Sequence, residues 1–230
     1  MVARRLHAAL ALVALGSLAG SARAEPLGSH QPHLEGRLGV RVSKVPSAGY
    51  DPFASSDELV QLSLGVGATI LRADRFSLAA VGFWDYGGHS SDARGEATQL
   101  IAQRLTIGPE FRYHVLVPLY VFAHALPAFA HSEASLQDRV ADATRYARHW
   151  SYGVDAAAGA AFELYGRRSG ESTQPRLWAI AEGGYGYLGS THLGLEPEAG
   201  SNAPQRPGSV DLGSLSLAGP YLRLSGAVSF

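Results

Sequence analysis

Apolar and polar residues take strict turns along long stretches of this chain, and that two-residue period constrains its fold more than any other feature. Val60, Leu62, Leu64, Val66, Ala68 and Ile70 alternate with Gln61, Ser63, Gly65, Gly67 and Thr69. Trp150, Tyr152, Val154, Ala156, Ala158, Ala160, Phe162 and Leu164 alternate with a second, mostly small or polar set that includes Asp155 and Glu163. Leu38, Val40 and Val42 do the same against Arg37, Gly39, Arg41 and Ser43. Successive side chains of a β-strand point to opposite faces, so these runs are strands with one apolar and one polar face. The same test predicts eight strands near residues 34–44, 58–72, 75–87, 98–115, 118–132, 148–165, 176–190 and 213–230. The third, fifth and seventh are less clean, with aliphatic or aromatic residues on both faces, among them Phe83, Phe122 and Trp178.

The connections between these strands alternate in length. Val45–Asp57, Gly88–Ala97, Glu133–Ala147 and Thr191–Leu212 are long, whereas Ala73-Asp74 and Leu116-Val117 are tight turns. Residues 166–175 break the rule by exceeding a tight turn. Short and long connections at opposite ends describe an antiparallel meander. The polar face then decides the solvent. A soluble sandwich needs charged side chains outside, and here the polar face is mainly Gly, Ala and Ser with isolated charges, which suits a narrow enclosed space. The apolar face is nearly free of charge and ends in aromatics such as Trp84, Tyr86, Trp150, Tyr152, Tyr185 and Tyr187. Aromatic girdles bounding an apolar band are what a lipid-facing sheet requires.

Composition removes several function classes. Only 17% of residues are charged, against about 25% in an average soluble domain. The formal net charge of −1 gives no support to nucleic-acid binding. With no cysteine there is no disulfide framework, thiolate metal site or cysteine nucleophile. The first residues read as a secretory leader: Arg4 and Arg5, an apolar run from Ala8 to Leu18, and the small-x-small site Ala22-Arg23-Ala24. Cleavage after Ala24 divides the chain into a signal peptide, residues 1–24, and a single exported domain, residues 25–230. The apolar run is well short of the roughly 20 residues that a membrane-spanning helix needs.

The chain ends in Pro220-Tyr-Leu-Arg-Leu-Ser-Gly-Ala-Val-Ser-Phe230, with Leu222, Leu224, Val228 and the terminal Phe230 on one face and Gly226 as the weak position. This strand resembles the last strand of bacterial outer-membrane β-barrels, which ends in a carboxy-terminal Phe preceded by alternating apolar residues. Size and strand number resemble the small eight-stranded class of outer-membrane protein A and its relatives. The resemblance implies an all-β, up-and-down transmembrane β-barrel in the outer membrane of a Gram-negative bacterium, with both termini in the periplasm and four external loops. It implies that the barrel-assembly machinery reads Leu222, Leu224, Val228 and Phe230, that outer-membrane lipid surrounds a monomer, and that no cofactor is needed. Leu215 and Leu217 run out of phase with Leu222, so a bulge or bend is expected around Ala218-Gly219-Pro220.

If the polar faces line the barrel, the charges inside are Arg37, Arg41, Asp85, Arg104, Glu110, Arg112, Asp155, Glu163, Glu182 and Arg223. Arginines and carboxylates are equal in number, and a buried charge is tolerable only when paired, so an internal ion-pair network is expected. It would fill a barrel of this size, which is just wide enough for side chains. His114 and His124 are expected in the same interior as network members rather than as metal ligands. For catalysis, Ser91 with His89, and Ser132 with His131 and Glu133, lie where strands enter external loops. A nucleophilic serine needs a base in reach and a third group to orient it, and this spacing does not supply that pattern. The expected role is therefore non-catalytic: membrane integrity or surface interaction through loops carrying Tyr50 and Phe53. A narrow channel or hydrophobic-ligand conduit and a lipid-modifying enzyme are the alternatives.

Overall fold

The computed structural model describes residues 34–93, 96–139, 143–165, 175–197 and 208–230; the expected leader lies outside the described residues. Ten strands follow one another: β1 (Leu34–Lys44), β2 (Glu58–Ala73), β3 (Phe76–Ala93), β4 (Glu96–Leu116), β5 (Leu119–Asp138), β6 (Ala143–Tyr165), β7 (Arg176–Leu188), β8 (Thr191–Pro197), β9 (Val210–Leu215) and β10 (Gly219–Ser229). β1 to β7 each pair antiparallel with the next, β7 pairs with β10, and β10 returns to β1. The ring is closed, so these eight strands form an up-and-down barrel with no free edge. Leu34 and Phe230 exchange both backbone hydrogen bonds at the closure, which puts the start of β1 and the chain end together at the short-turn end.

Alternation follows the wall as the period demands. Leu38, Val40 and Val42 are exposed outside and Arg37 and Arg41 are buried inside. At the β2–β3 turn, Asp74 adopts φ 44°, a left-handed conformation that Asp tolerates better than most residues. The ladder shifts register at Thr69/Leu71, His114/Leu116 and Glu163/Tyr165, all at the short-turn end.

Strand ends at the other pole differ from the sequence expectation. Within the stretches Gly88–Ala97 and Glu133–Ala147, expected as loops, the described residues 88–93, 96–97, 133–138 and 143–147 are strand: pairing continues from His89↔Leu100 to Ala93↔Glu96, and from Glu133↔Arg148 to Asp138↔Ala143. The polar–apolar pattern reverses there. Leu100, Ala102, Ala134, Leu136 and Ala147 point inward and are buried, while Gln99, Glu133 and Arg148 point outward. A reversed pattern above the apolar band hides a strand from a test that looks for one apolar face. The expected eighth strand is also divided. Residues 213–215 belong to β9, and the chain leaves strand at 216–218 before β10 begins. Leu215 and Leu217 are out of phase with Leu222 because they face inward, packed under the loops, whereas Leu222 faces outward.

Candidate functional site

Lengths of the strands set the shape. About 9–11 residues cross a bilayer as a tilted strand; β1 and β10 have 11 and 11, but β3, β4, β5 and β6 have 18, 21, 20 and 23. The excess rises past the apolar belt as a four-stranded wall on one side of the barrel mouth. The belt itself is exposed: Val66 is 68% accessible, and Leu38, Leu62, Leu105, Ile107, Leu222 and Leu224 are also uncovered. Aromatic pairs bound it at both ends, Trp84–Tyr86 and Phe129–Tyr152 toward the long loops and Phe76–Tyr113 toward the short turns. A continuous apolar wall of this kind is not stable in water and is what lipid requires. Among the described residues no helix is long and apolar enough to cross a membrane, which says nothing of a β-barrel.

Inside, side chains fill the barrel in layers. The layer nearest the short turns is aromatic: Tyr120, Phe122 and Trp178 pack with Ala161, Ile180 and Ala227, and the Trp178 indole N–H donates to Ser229 Oγ at 2.8 Å. Beside it lies the first charged cluster. Arg37 Nε donates to Glu35 at 2.8 Å and its Nη2 to Glu110 at 2.7 Å. Arg112 completes the square, donating to Glu35 at 2.6 Å and to Glu110 at 2.8 Å. Two guanidinium groups therefore share two carboxylates, each carboxylate accepting from both.

The second cluster is a chain. Arg104 donates to Asp155 at 2.9 Å, and Asp155 accepts from Arg41 at 2.6 Å. Arg41 reaches Asp85 at 3.0 Å, Asp85 accepts from Arg223 at 2.9 Å, and Arg223 donates to Glu182 at 2.8 Å. The Tyr221 hydroxyl closes the chain on Glu182 at 2.9 Å. Aromatic faces cover the cations: Arg41 lies 3.7 Å from the Tyr221 ring centre and Arg223 4.1 Å from that of Phe83. His124 lies between the clusters, its Nδ1 3.3 Å from Glu110 and its Nε2 3.7 Å from Glu182. A Cβ on Gly186 would crowd the ends of the Arg104 and Asp155 side chains, so any other residue there would shift this pair.

Above the second cluster the interior turns apolar again. Val45, Tyr50, Phe53 and Leu59 from the first long loop and the head of β2 meet Leu188, Leu193, Leu195, Leu215 and Leu217 from the last long connection. All of them pack on Leu100, Ala130 and Leu136 of the raised wall. β8 and β9 pair as a hairpin within this lid, and β8 is joined to β6 through Arg145↔Pro197 and Tyr146↔Glu196. Tyr50 donates to the Glu58 carbonyl at 3.0 Å, and burial together with Asp57 pushes its phenol pKa up to about 12. Arg104 ties the lid to the charges beneath, donating to the Leu217 carbonyl at 2.9 Å.

Nine of the ten charged residues expected inside are brought together. Glu163 is not: it is half-buried at the short-turn rim beside the register shift, where its backbone N–H donates to the Pro118 carbonyl at 2.8 Å. Water reaches that rim, so its charge needs no buried partner. Glu35 takes its place in the network, leaving five arginines and five carboxylates. Its position on the same face as Arg37 and Arg41 was the signal in the sequence. His114 lies apart from His124, its Nε2 3.4 Å from Ser77 Oγ and its ring against Tyr120. No group of three or more metal-ligating side chains occurs among the described residues.

The serine–histidine pairs do not converge. His131 points outward, its ring tilted against that of Trp150 with centres 4.8 Å apart, while Ser132 points inward and is buried. Glu133 pairs with Arg148 on the outer surface at 3.2 Å. His89 sits edge-on to Tyr50, and no hydrogen bond joins it to Ser91 among the described residues. Leu222, Leu224, Val228 and Phe230 all face outward on the closing strand.

No family model and no curated protein matches the chain. Solved structures that it is similar to include Ail, the attachment invasion locus protein of Yersinia pestis, at 11% identity and a TM-score of 0.48, covering 87% of this chain and 99% of that one. Neisserial surface protein A (NspA) is similar at 11% identity and a TM-score of 0.42, with 86% and 97% covered.

Proposed function

We propose that this eight-stranded barrel is an outer-membrane protein that acts without catalysis, through the folded cap it raises above the membrane, in membrane integrity or surface interaction. The observation that carries the reading is the contrast between a lumen closed at every level and a wall built far taller than a crossing needs. Among the described residues an aromatic floor, two paired charge clusters and an apolar lid fill the lumen in turn. The four long strands meanwhile hold Tyr50, Phe53 and the β8–β9 hairpin in one folded unit outside the lipid. On this reading the long-loop end is external, and the closing strand with Phe230 is what the assembly machinery engages. Lipid covers the belt around a single copy.

The test is electrophoresis of the outer-membrane fraction in SDS, heated and unheated, followed by conductance recording on the purified barrel. A closed barrel resists SDS when cold because it has no edge to attack, so the band should shift on boiling, and the bilayer should show no defined conductance steps. Recovery as a soluble periplasmic protein without a shift would overturn the membrane reading. Regular conductance steps would overturn the filled lumen and favour a channel. A change in lipid A mass that depends on the protein would favour an enzyme.

A further inference from the structure

We infer that the barrel wall parts sideways, toward the bilayer, at the seam between β4 and β5. Cross-strand pairing runs unbroken along β1–β2, β1–β10, β7–β10 and β5–β6 among the described residues. Elsewhere the shifts sit at strand ends. On β4–β5, however, pairing stops at Thr106↔Ala128 and resumes at Glu110↔His124 with the register unchanged. The unpaired stretches are Ile107-Gly108-Pro109 and Ala125-Leu126-Pro127. Pro109 and Pro127 have no N–H to give, so two ladder positions lack a donor and no single substitution of the partner strand could supply one. Each stretch is held on its other side, β4 by β3 through Gly82↔Ile107, Val81↔Gly108 and Ala80↔Pro109, and β5 by β6 through Ala125↔Ala156 and Pro127↔Val154. The lapse is thus confined to one seam, midway between the two aromatic girdles, where water cannot replace a missing partner.

What lies behind the seam makes parting inexpensive there. Leu126 faces inward, fully buried against Ala79, Val81 and Phe83. This apolar layer lies level with the seam, and the first charged cluster begins below it at Glu110. Opening at this height brings Leu126, Ala79, Val81 and Phe83 toward lipid first, with Thr106 above them and Glu110 and His124 below. Outside, Ile107, Pro109, Ala125 and Pro127 complete an apolar surround.

The inference rests on the ring being a membrane wall and not on what the cap does. Because the chain has no cysteine, single cysteines report cleanly. Leu126→Cys and Ser63→Cys each place a thiol at a buried, inward-facing position, the second behind the unbroken β1–β2 seam. In lipid nanodiscs, with folding verified by the boiling shift, a lipid-confined maleimide should label Leu126→Cys at least tenfold faster than Ser63→Cys. Adding Pro109→Ala and Pro127→Ala, which restore both donors, should slow that labelling toward the Ser63→Cys rate. Amide exchange across residues 106–110 and 124–128 should likewise exceed that across the β1–β10 seam in the native protein. Equal labelling at the two positions, or labelling that the double proline replacement leaves unchanged, would overturn the inference. Absence of a boiling shift in the native protein would instead overturn the membrane reading beneath it.

Discussion

Arg223 shows how much one residue carries in this interior. It is the only described contact between Asp85 and Glu182 within the second cluster, and both carboxylates are essentially inaccessible to water. Replacing it with Ala leaves Glu182 with the Tyr221 hydroxyl and the more distant His124 Nε2 but no guanidinium, and breaking a buried pair in this way costs about 3–5 kcal/mol. Arg223→Ala and Arg104→Ala should each lower the temperature at which the boiling shift occurs, and Glu163→Ala should not; equal melting of all three would remove the network from the stability of the barrel. The outer face offers the converse test. Val66 stands at mid-belt, and Val66→Arg should destabilise by roughly 2–4 kcal/mol if lipid lies against it, measured by denaturant unfolding in lipid vesicles. In a soluble protein an arginine at so exposed a position would be close to neutral. Both residues were legible from the period alone, since Arg223 and Val66 sit on opposite faces of clean alternations. Glu35 was equally legible, standing two residues before Arg37 on the same face.

At the scale of elements, the barrel and its lid answer to different physics. The wall is held by a closed ladder, the lid by apolar packing of two loops against a raised sheet. Phe53→Ala removes a fully buried ring from that packing, a change that costs about 3–5 kcal/mol in a core. Its expected effect is faster protease cleavage in the external loops with the boiling shift of the barrel preserved; loss of both together would mean that lid and wall fold as one unit. Tyr50 adds a pH dependence. Its phenol pKa is raised from 10.0 to about 12 in the folded lid, so the neutral form is favoured by folding. That contribution is complete below pH 10 and is lost as the pH rises toward 12, and loop protection should fall over the same window and not in Tyr50→Phe. The upper ends of β3 to β6 do not show in the alternation as strand because their apolar side faces inward above the belt, under the lid. A pattern test for one apolar outer face is blind to a strand whose environment inverts halfway along.

Taken as a whole molecule, the protein is a closed ring of eight strands with a filled interior and a lid of packed loops at its long-loop end. Deleting Phe230 should remove the last outward aromatic and both backbone hydrogen bonds that close the ring on Leu34. The folded, heat-shifting form in the outer-membrane fraction is then expected to fall several-fold, while a normal yield would show that assembly reads another segment. The closed ring was implied by the resemblance of the terminal strand, whereas period two, the girdle aromatics and the small residues on the polar face determined by themselves the strand class and which face is apolar. These are local properties, since alternation is fixed by the geometry of one strand and its solvent. Which charge pairs with which was decided only by the tertiary structure. Arg41 meets Asp155 across 114 positions and Arg104 meets Leu217 across 113, because the stagger of strands around the ring sets the height of every side chain. No single strand contains that stagger. The lid was hidden for the same reason: Tyr50 and Phe53 are ordinary loop aromatics until closure brings Leu188, Leu193 and Leu215 over the same mouth.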